Sequence, residues 1–178
     1  MKNSIFALLC GLAVADIQDY NPGGRSFGGN GGVTGGYVSA GYQTLTNEYV
    51  DYGLINLAFG KEIKVSDVFE VLIEGSFGTG IQSDTDYDIT SAFGVSSYAK
   101  FNVADTGLYF LAGAQYASFT TKLQDEIDSI TTTDGGFGFG GGIGYNFTDQ
   151  VSAEFRYTDM EIDDVNIKYS TFGVKYSF

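Results

Sequence analysis

The sequence predicts an all-β fold, an eight-stranded antiparallel up-and-down transmembrane β-barrel. Three observations predict it. Eight segments of roughly ten residues alternate apolar and polar side chains, the number and length of a minimal membrane barrel. The connections between them fall into three short turns and four longer or more polar stretches, around Thr46-Asn-Glu48, Gly78 to Asp88, Ser118 to Asp134, and Asp159 to Val165. The composition, with 15 Phe, 13 Tyr and 26 Gly against 1 Pro, suits pleated strands and weakens helices.

Side chains on a strand point to opposite faces with period two, so each segment sorts into a lipid face and a lumen face. In chain order the outward sets begin with Val38, Ala40 and Tyr42, then Ile55, Leu57 and Phe59, then Phe69, Val71, Ile73 and Phe77. The fourth and fifth segments offer Phe93, Val95, Ala99 and Phe101, then Phe110, Ala112, Ala114 and Tyr116. In the sixth, Phe137, Phe139, Ile143, Tyr145 and Phe147 alternate with Gly138, Gly140, Gly142 and Gly144. The seventh has Val151, Ala153, Phe155 and Tyr157 outward, and the last has Phe172, Val174, Tyr176 and Phe178. Lys61 and Lys168 also have outward parity, which is tolerable only near a strand end, where the ammonium reaches the interface.

The short turns share a form: Val65-Ser-Asp-Val68, Val103-Ala-Asp-Thr106 and Phe147-Thr-Asp-Gln150. Aspartate favours such turns because its side chain can bond local backbone.

The front of the chain predicts export. Met1-Lys-Asn-Ser is a positive start, and Ile5 to Ala15 is an apolar run shorter than the roughly 20 residues a spanning helix needs. It ends in the small-x-small pattern Ala13-Val-Ala15, so residues 1–15 are expected to be a signal peptide cleaved before Asp16. Leu9 before Cys10 disfavours a lipoprotein site. Residues 16–34 form a glycine-rich lead-in, and residues 35–178 the barrel.

Formal net charge is −13, which excludes nucleic acid as a partner. Lumen parity collects Glu70, Glu74, Lys100, Glu154, Arg156 and Lys175. An eight-stranded barrel is about wide enough to be filled by side chains, and charges buried there must pair. A polar plug of ion pairs is expected, with Arg156 as its hub because a guanidinium can serve two carboxylates. A gated pore lining is the alternative. The inward glycines of the sixth segment leave room for large neighbours such as Tyr98 or Tyr109.

Gly136-x-Gly138-x-x-Gly141 spells a dinucleotide fingerprint, but no helix follows, so no cofactor is expected. The longer connections carry 13 acids. Among them Asp84-Thr-Asp-Tyr-Asp88 opens like a calcium loop but has Ile89 and Val95 where that loop needs Gly and Glu. Asp84, Asp86 and Asp88 are weak metal candidates beside the simpler reading of a solvated acidic rim.

The hairpin Tyr145-Asn-Phe-Thr-Asp-Gln-Val-Ser-Ala-Glu-Phe-Arg-Tyr157 and the final strand resemble the small eight-stranded outer-membrane barrels of the OmpA transmembrane domain, OmpX/Ail and opacity-protein type. The resemblance implies the outer membrane of a Gram-negative cell, with outer-membrane lipid and lipopolysaccharide as surroundings. It implies that Thr171, Gly173, Tyr176 and Phe178 form the signal read by the barrel assembly machinery. Barrel enzymes of related kinds commonly rely on an active-site histidine, and this chain has none, so no enzyme is expected. The function expected is envelope integrity or surface interaction and adhesion. Surface ligands or divalent cations would be met through the acidic loops, and a narrow pore for small solutes is the alternative. A soluble lipocalin-type barrel would invert the two faces, and the aromatic terminus argues against it.

Overall fold

A computed structural model describes residues 33–46, 51–82, 87–124, 129–162 and 165–178. The expected signal peptide and nearly all of the lead-in lie outside these residues. Eight strands follow one another: β1 (Val33–Thr46), β2 (Asp51–Lys64), β3 (Phe69–Gln82), β4 (Tyr87–Asn102), β5 (Leu108–Gln124), β6 (Ser129–Asn146), β7 (Val151–Ile162) and β8 (Val165–Ser177). Each pairs antiparallel with its sequence neighbours, and β8 returns to β1 to close the barrel. Closure removes every sheet edge from the hydrocarbon layer, where an unpaired backbone group would cost several kcal/mol.

The turns 65–68, 103–107 and 147–150 share one end of the barrel with the start of β1 and with Phe178. The strand ends that flank the longer connections lie at the other end. At two of the three turns, threonine hydroxyls add side-chain bonds to the local backbone. Thr148 Oγ1 accepts from the Val151 amide at 2.9 Å and from Gln150 at 3.2 Å. Thr106 Oγ1 donates to the Val103 carbonyl at 3.0 Å. Asp105 contributes through its backbone, in the left-handed region at φ 61°, where Asp is one of the residue types least penalised. Asp67 instead pairs with Lys64 at 2.8 Å. That ammonium hydrogen bond holds the exposed Asp67 carboxyl below its ordinary range.

At the other end the strands run further than the alternation indicates. β5 has 17 residues and β6 has 18, against the roughly ten that cross a bilayer. Segments expected as connections, Gly78 to Asp88 and Ser118 to Asp134, are largely strand. The reason is chemical. Thr120, Thr121, Thr131, Thr132 and Thr133 are good strand formers, and Thr120 and Thr133 bond across the ladder at 3.1 Å. Thr131, Thr132 and Thr133 are exposed in succession, on both faces of β6, so no hydrophobic period marks them.

The outer face follows the expected parity. Leu57, Phe59, Phe93, Phe139, Phe155 and Phe172 are exposed around the circumference. Aromatic pairs form two rings. Phe69–Phe101 and Tyr145–Phe147 lie toward the turn end, with centroids 5.2 and 5.3 Å apart. Phe77–Phe93 and Tyr116–Phe137 lie toward the other, at 5.0 and 4.9 Å. Phe93 and Phe101 are eight residues apart on β4. At about 3.4 Å per residue and a tilt of about 40°, that separates the rings by roughly 20 Å, close to the ~25 Å apolar band of such barrels.

Lys61 stands opposite Gly36, next to the terminal Phe178, and Lys168 stands opposite Thr46, the last residue of β1. Neither lies at mid-membrane. Lys168 also faces Asp159 across β7 and β8.

Candidate functional site: the filled lumen

Lumen-facing side chains form two zones. The turn-side zone is built on charge. Arg156 of β7 is its hub: its Nη1 and Nη2 donate to both oxygens of Glu74 at 2.8 and 3.1 Å, and its Nε donates to Glu154 Oε2 at 2.9 Å. This is the bidentate geometry that only a guanidinium offers. The Arg156 guanidinium also lies 4.7 Å over the Tyr98 ring. Lys175 Nζ reaches Glu154 at 3.1 Å and Glu62 at 2.6 Å. Lys100 Nζ reaches the same Glu62 oxygen at 3.3 Å and Glu70 at 2.9 Å.

Seven charges thus alternate in one continuous chain: Glu74, Arg156, Glu154, Lys175, Glu62, Lys100 and Glu70. Neutral donors occupy the remaining lone pairs. Tyr37 donates to Glu74 at 2.9 Å, Tyr109 to Glu154 at 2.7 Å and Asn102 to Glu70 at 3.1 Å. The chain is well enclosed: Lys175 is 2 % exposed and Glu154 5 %. Such burial is tolerable only with this density of partners.

Each strand delivers its member by parity. Glu62 follows Asn56, Ala58 and Gly60 on the inward face of β2. Sequence reasoning missed it, because the apolar alternation of that segment stops at Phe59 and the outward Lys61 disguises the strand. The continuing parity was the signal that could have found it. The six residues expected in the network all belong to the chain: Lys175 meets Glu154 and Glu62, Glu70 pairs with Lys100, and Glu74 pairs with Arg156.

Glycines make the room. A methyl on Gly144 would run into the Tyr109 ring, and one on Gly142 would meet Arg156 Cγ at 3.1 Å. Tyr98 lies instead over Gly113 of β5, where an added methyl would meet its Cδ1 at 2.7 Å.

The loop-side zone is apolar and corrects the expectation of a polar interior throughout. Leu45, Leu54, Ile89, Ala92, Ala117, Phe119, Met160, Ile162 and Tyr169 form one buried cluster. Its residues occupy lumen positions of strand stretches that the outward alternation does not reach, so parity alone left them unread. Between the zones lies a cavity of about 40 Å³, lined by Asn56, Gln115, Arg156 and Thr158 among others. It has room for about one water, and the unpartnered Asn56 Oδ1 lines it. Below the charged chain, the turn end opens into a vestibule of about 670 Å³.

The residues expected as the assembly signal sit on the closing seam. Gly173 stands opposite Gly41, Tyr176 opposite Val38, and Thr171 opposite Gln43 and Arg156. The Phe178 amide donates to the Gly36 carbonyl at 2.9 Å, and its ring covers Gly36 so closely that a methyl there would lie 2.9 Å from it. Of the candidate metal ligands, Asp84 and Asp86 lie outside the described residues, and Asp88 stands in β4 opposite Lys122. Among the described residues, no three His, Cys, Asp or Glu side chains converge as metal ligands would.

A family model described as outer membrane protein beta-barrel domain matches residues 4–178. Outer membrane protein X of Escherichia coli K12 is 27% identical over 176 residues, covering 96% of this chain and 98% of its own length. Among solved structures, Ail, the attachment invasion locus protein of Yersinia pestis, matches with TM-score 0.56 at 20% identity, over 81% of this chain and 99% of its own. Ail has also been solved in complex with the heparin analogue sucrose octasulfate. The N-terminal β-barrel domain of Pseudomonas aeruginosa OprF matches with TM-score 0.60 at 16% identity, over 80% of this chain and 97% of its own. The chain belongs to the outer membrane protein β-barrel family, and it is a barrel of the Gram-negative outer membrane whose strands cross the bilayer.

Proposed function

We propose that this protein is a non-conducting, non-enzymatic surface barrel that supports envelope integrity and presents an acidic outer end to partners. The observation that carries this reading is the two-zone filling of the lumen. A solute entering from the turn end meets the Glu74-to-Glu70 charged chain and then the apolar cluster around Leu54 and Phe119. Water and ions have no reason to enter a closed apolar layer. The absence of histidine removes the usual general base for hydrolysis in such barrels.

At the outer end, acids dominate the connections, so polysulfated ligands of the kind bound to Ail are repelled. Cationic surfaces, or lipopolysaccharide phosphates bridged by divalent cations, fit the charge. Thr171, Gly173, Tyr176 and Phe178 serve as the assembly signal at the seam.

Planar-bilayer recordings of the refolded protein test the central claim. No reproducible conductance steps are expected. Steps that change in the Arg156→Ala variant would establish the narrow-pore reading instead. Heat-modifiable migration on SDS gels from an outer-membrane fraction reports folding in the same preparations. A strain lacking the protein should gain sensitivity to detergents that the intact envelope excludes, and wild-type sensitivity would remove the integrity role.

A further inference from the structure

Beyond the loop-side aromatic ring, the outer surface of β3 to β6 carries hydroxyls in place of rings. Thr79, Ser91, Thr120 and Thr133 have the same outward parity as Phe77, Phe93, Tyr116 and Phe137 of that ring, two to four residues further along their strands. At about 3.4 Å per residue and a tilt of about 40°, they stand roughly 5–10 Å beyond it. Ser91 is opposite Thr120 and Thr120 is opposite Thr133, so hydroxyls lie side by side across three strands. Thr90 is the extra residue where the β4–β5 register shifts, and it is exposed, as are Thr79 and Thr133.

The hydrogen bonds give this patch a direction. Thr79 Oγ1 donates to the Thr90 carbonyl at 3.3 Å, and Thr90 Oγ1 donates to the Thr120 carbonyl at 3.0 Å. The Thr120 and Thr133 hydroxyls share one hydrogen at 3.1 Å. A hydroxyl has one hydrogen to donate and two lone pairs that accept. Three of the four threonine hydrogens are therefore spent inside the sheet, and most lone pairs are left for an outside donor. The patch is also neutral: the next charged positions on this side, Asp88 opposite Lys122, lie further out. On β7 and β8 the outward positions at this end are instead Asp159, Glu161 and Lys168.

These properties select the occupant. Phosphate oxygens are strong acceptors, so they find few hydrogens here and no cation. Acyl chains gain nothing from hydroxyls. A neutral sugar ring brings several hydroxyl donors at once. The patch is continuous with the lipid-facing belt, so it meets whatever headgroup crowns the lipid packed on Phe77, Phe93 and Phe137. In the outer leaflet that headgroup is the oligosaccharide of lipopolysaccharide.

We propose that the threonine patch on β3 to β6 is a docking surface for the neutral sugars of an outer-leaflet glycolipid. Its threonines accept hydrogen bonds from sugar hydroxyls while the acyl chains lie on the aromatic belt. The inference uses only the place of the barrel in the outer membrane. It stands apart from the envelope role and from cation-bridged phosphates at the acidic connections.

The test is native mass spectrometry of the refolded protein in tetraethylene glycol monooctyl ether, a detergent that carries no sugar. The probes are a rough lipopolysaccharide with its core sugars and the lipid A left when mild acid removes them. The core-bearing lipid should bind at least about tenfold more tightly, the scale of two or more neutral hydrogen bonds. The quadruple variant Thr79→Val/Thr90→Val/Thr120→Val/Thr133→Val keeps shape and strand propensity and should bring the two affinities within about twofold of each other. If it fails to fold by the heat-shift gel, Thr79→Val/Thr133→Val replaces it and should lower the preference by about threefold. Thr44→Val/Thr46→Val, on the outer side of β1, should leave the preference unchanged. Removing the phosphates from both lipids should also leave it unchanged. Equal binding of the two lipids by the unaltered protein would overturn the proposal. So would an equal fall in the Thr44/Thr46 variant, or a preference that disappears with the phosphates.

Discussion

On the loop side the lumen is packed by Leu54, Phe119, Met160 and Ile162; on the turn side it is filled by Glu62, Glu74, Lys100, Glu154, Arg156 and Lys175. The same lipid-facing belt wraps both. Apolar packing tolerates conservative swaps, because it is non-directional and scales with buried area. The charged zone is different in kind. Each inner member pairs with two others, so removing one strands a buried charge. The loop-side zone is therefore packing that can be resized, whereas the turn-side zone is a network that fails as a unit.

That contrast can be broken most sharply at Arg156. Arg156→Ala leaves Glu74 and Glu154 buried without their main partner and should cost about 3–5 kcal/mol of unfolding free energy. The chain has no tryptophan, so urea titration read by the heat-shift gel or circular dichroism in lipid vesicles is the suitable measurement. A loss below about 1 kcal/mol, the scale of a surface pair, would mean that water already reaches the network. Leu54→Ala should cost about 2–4 kcal/mol through its cavity, while Leu54→Met should cost less than about 1.5 kcal/mol. If Met is as damaging as Ala, the loop-side zone is not adaptable packing.

Glu62→Gln keeps the side-chain shape but removes the charge that Lys100 and Lys175 share. The expected loss is about 1.5–3 kcal/mol. A double-mutant cycle with Lys175→Met should return a coupling comparable to that loss; additive effects would separate Glu62 from the chain. Gly144→Ala places a methyl in the Tyr109 ring and should cost about 1–3 kcal/mol by overpacking. At the exposed turn pair, Asp67→Asn should leave the unfolding midpoint unchanged, since the pair lies in water.

The lipid face was readable in the sequence because hydrocarbon forces one answer: Phe93, Phe139, Phe155 and Phe172 had to point outward. The inward charges were readable as a set for the complementary reason, that parity leaves them no other place. Their pairing was not. Lys175 reaches Glu62 on β2, which is 113 residues away in sequence, and only closure of β8 onto β1 brings the two together. Glu62 itself escaped notice because Lys61 ends the apolar run one residue earlier. The loop-side extensions escaped for a different reason. Thr131, Thr132 and Thr133 are exposed on both faces of β6, so their strand character leaves no period to detect.

Period two and the demands of a bilayer determined, from the sequence alone, the barrel, its strand number, its outer face and most of the charged residues inside. Tertiary structure decided which carboxylate meets which cation, where Gly144 and Gly113 make room for tyrosines, and that the lumen divides into an apolar zone and a charged one. The physical reason is that facing is a local property of the pleat. Contact across a lumen depends on tilt, stagger and closure, which no single strand encodes.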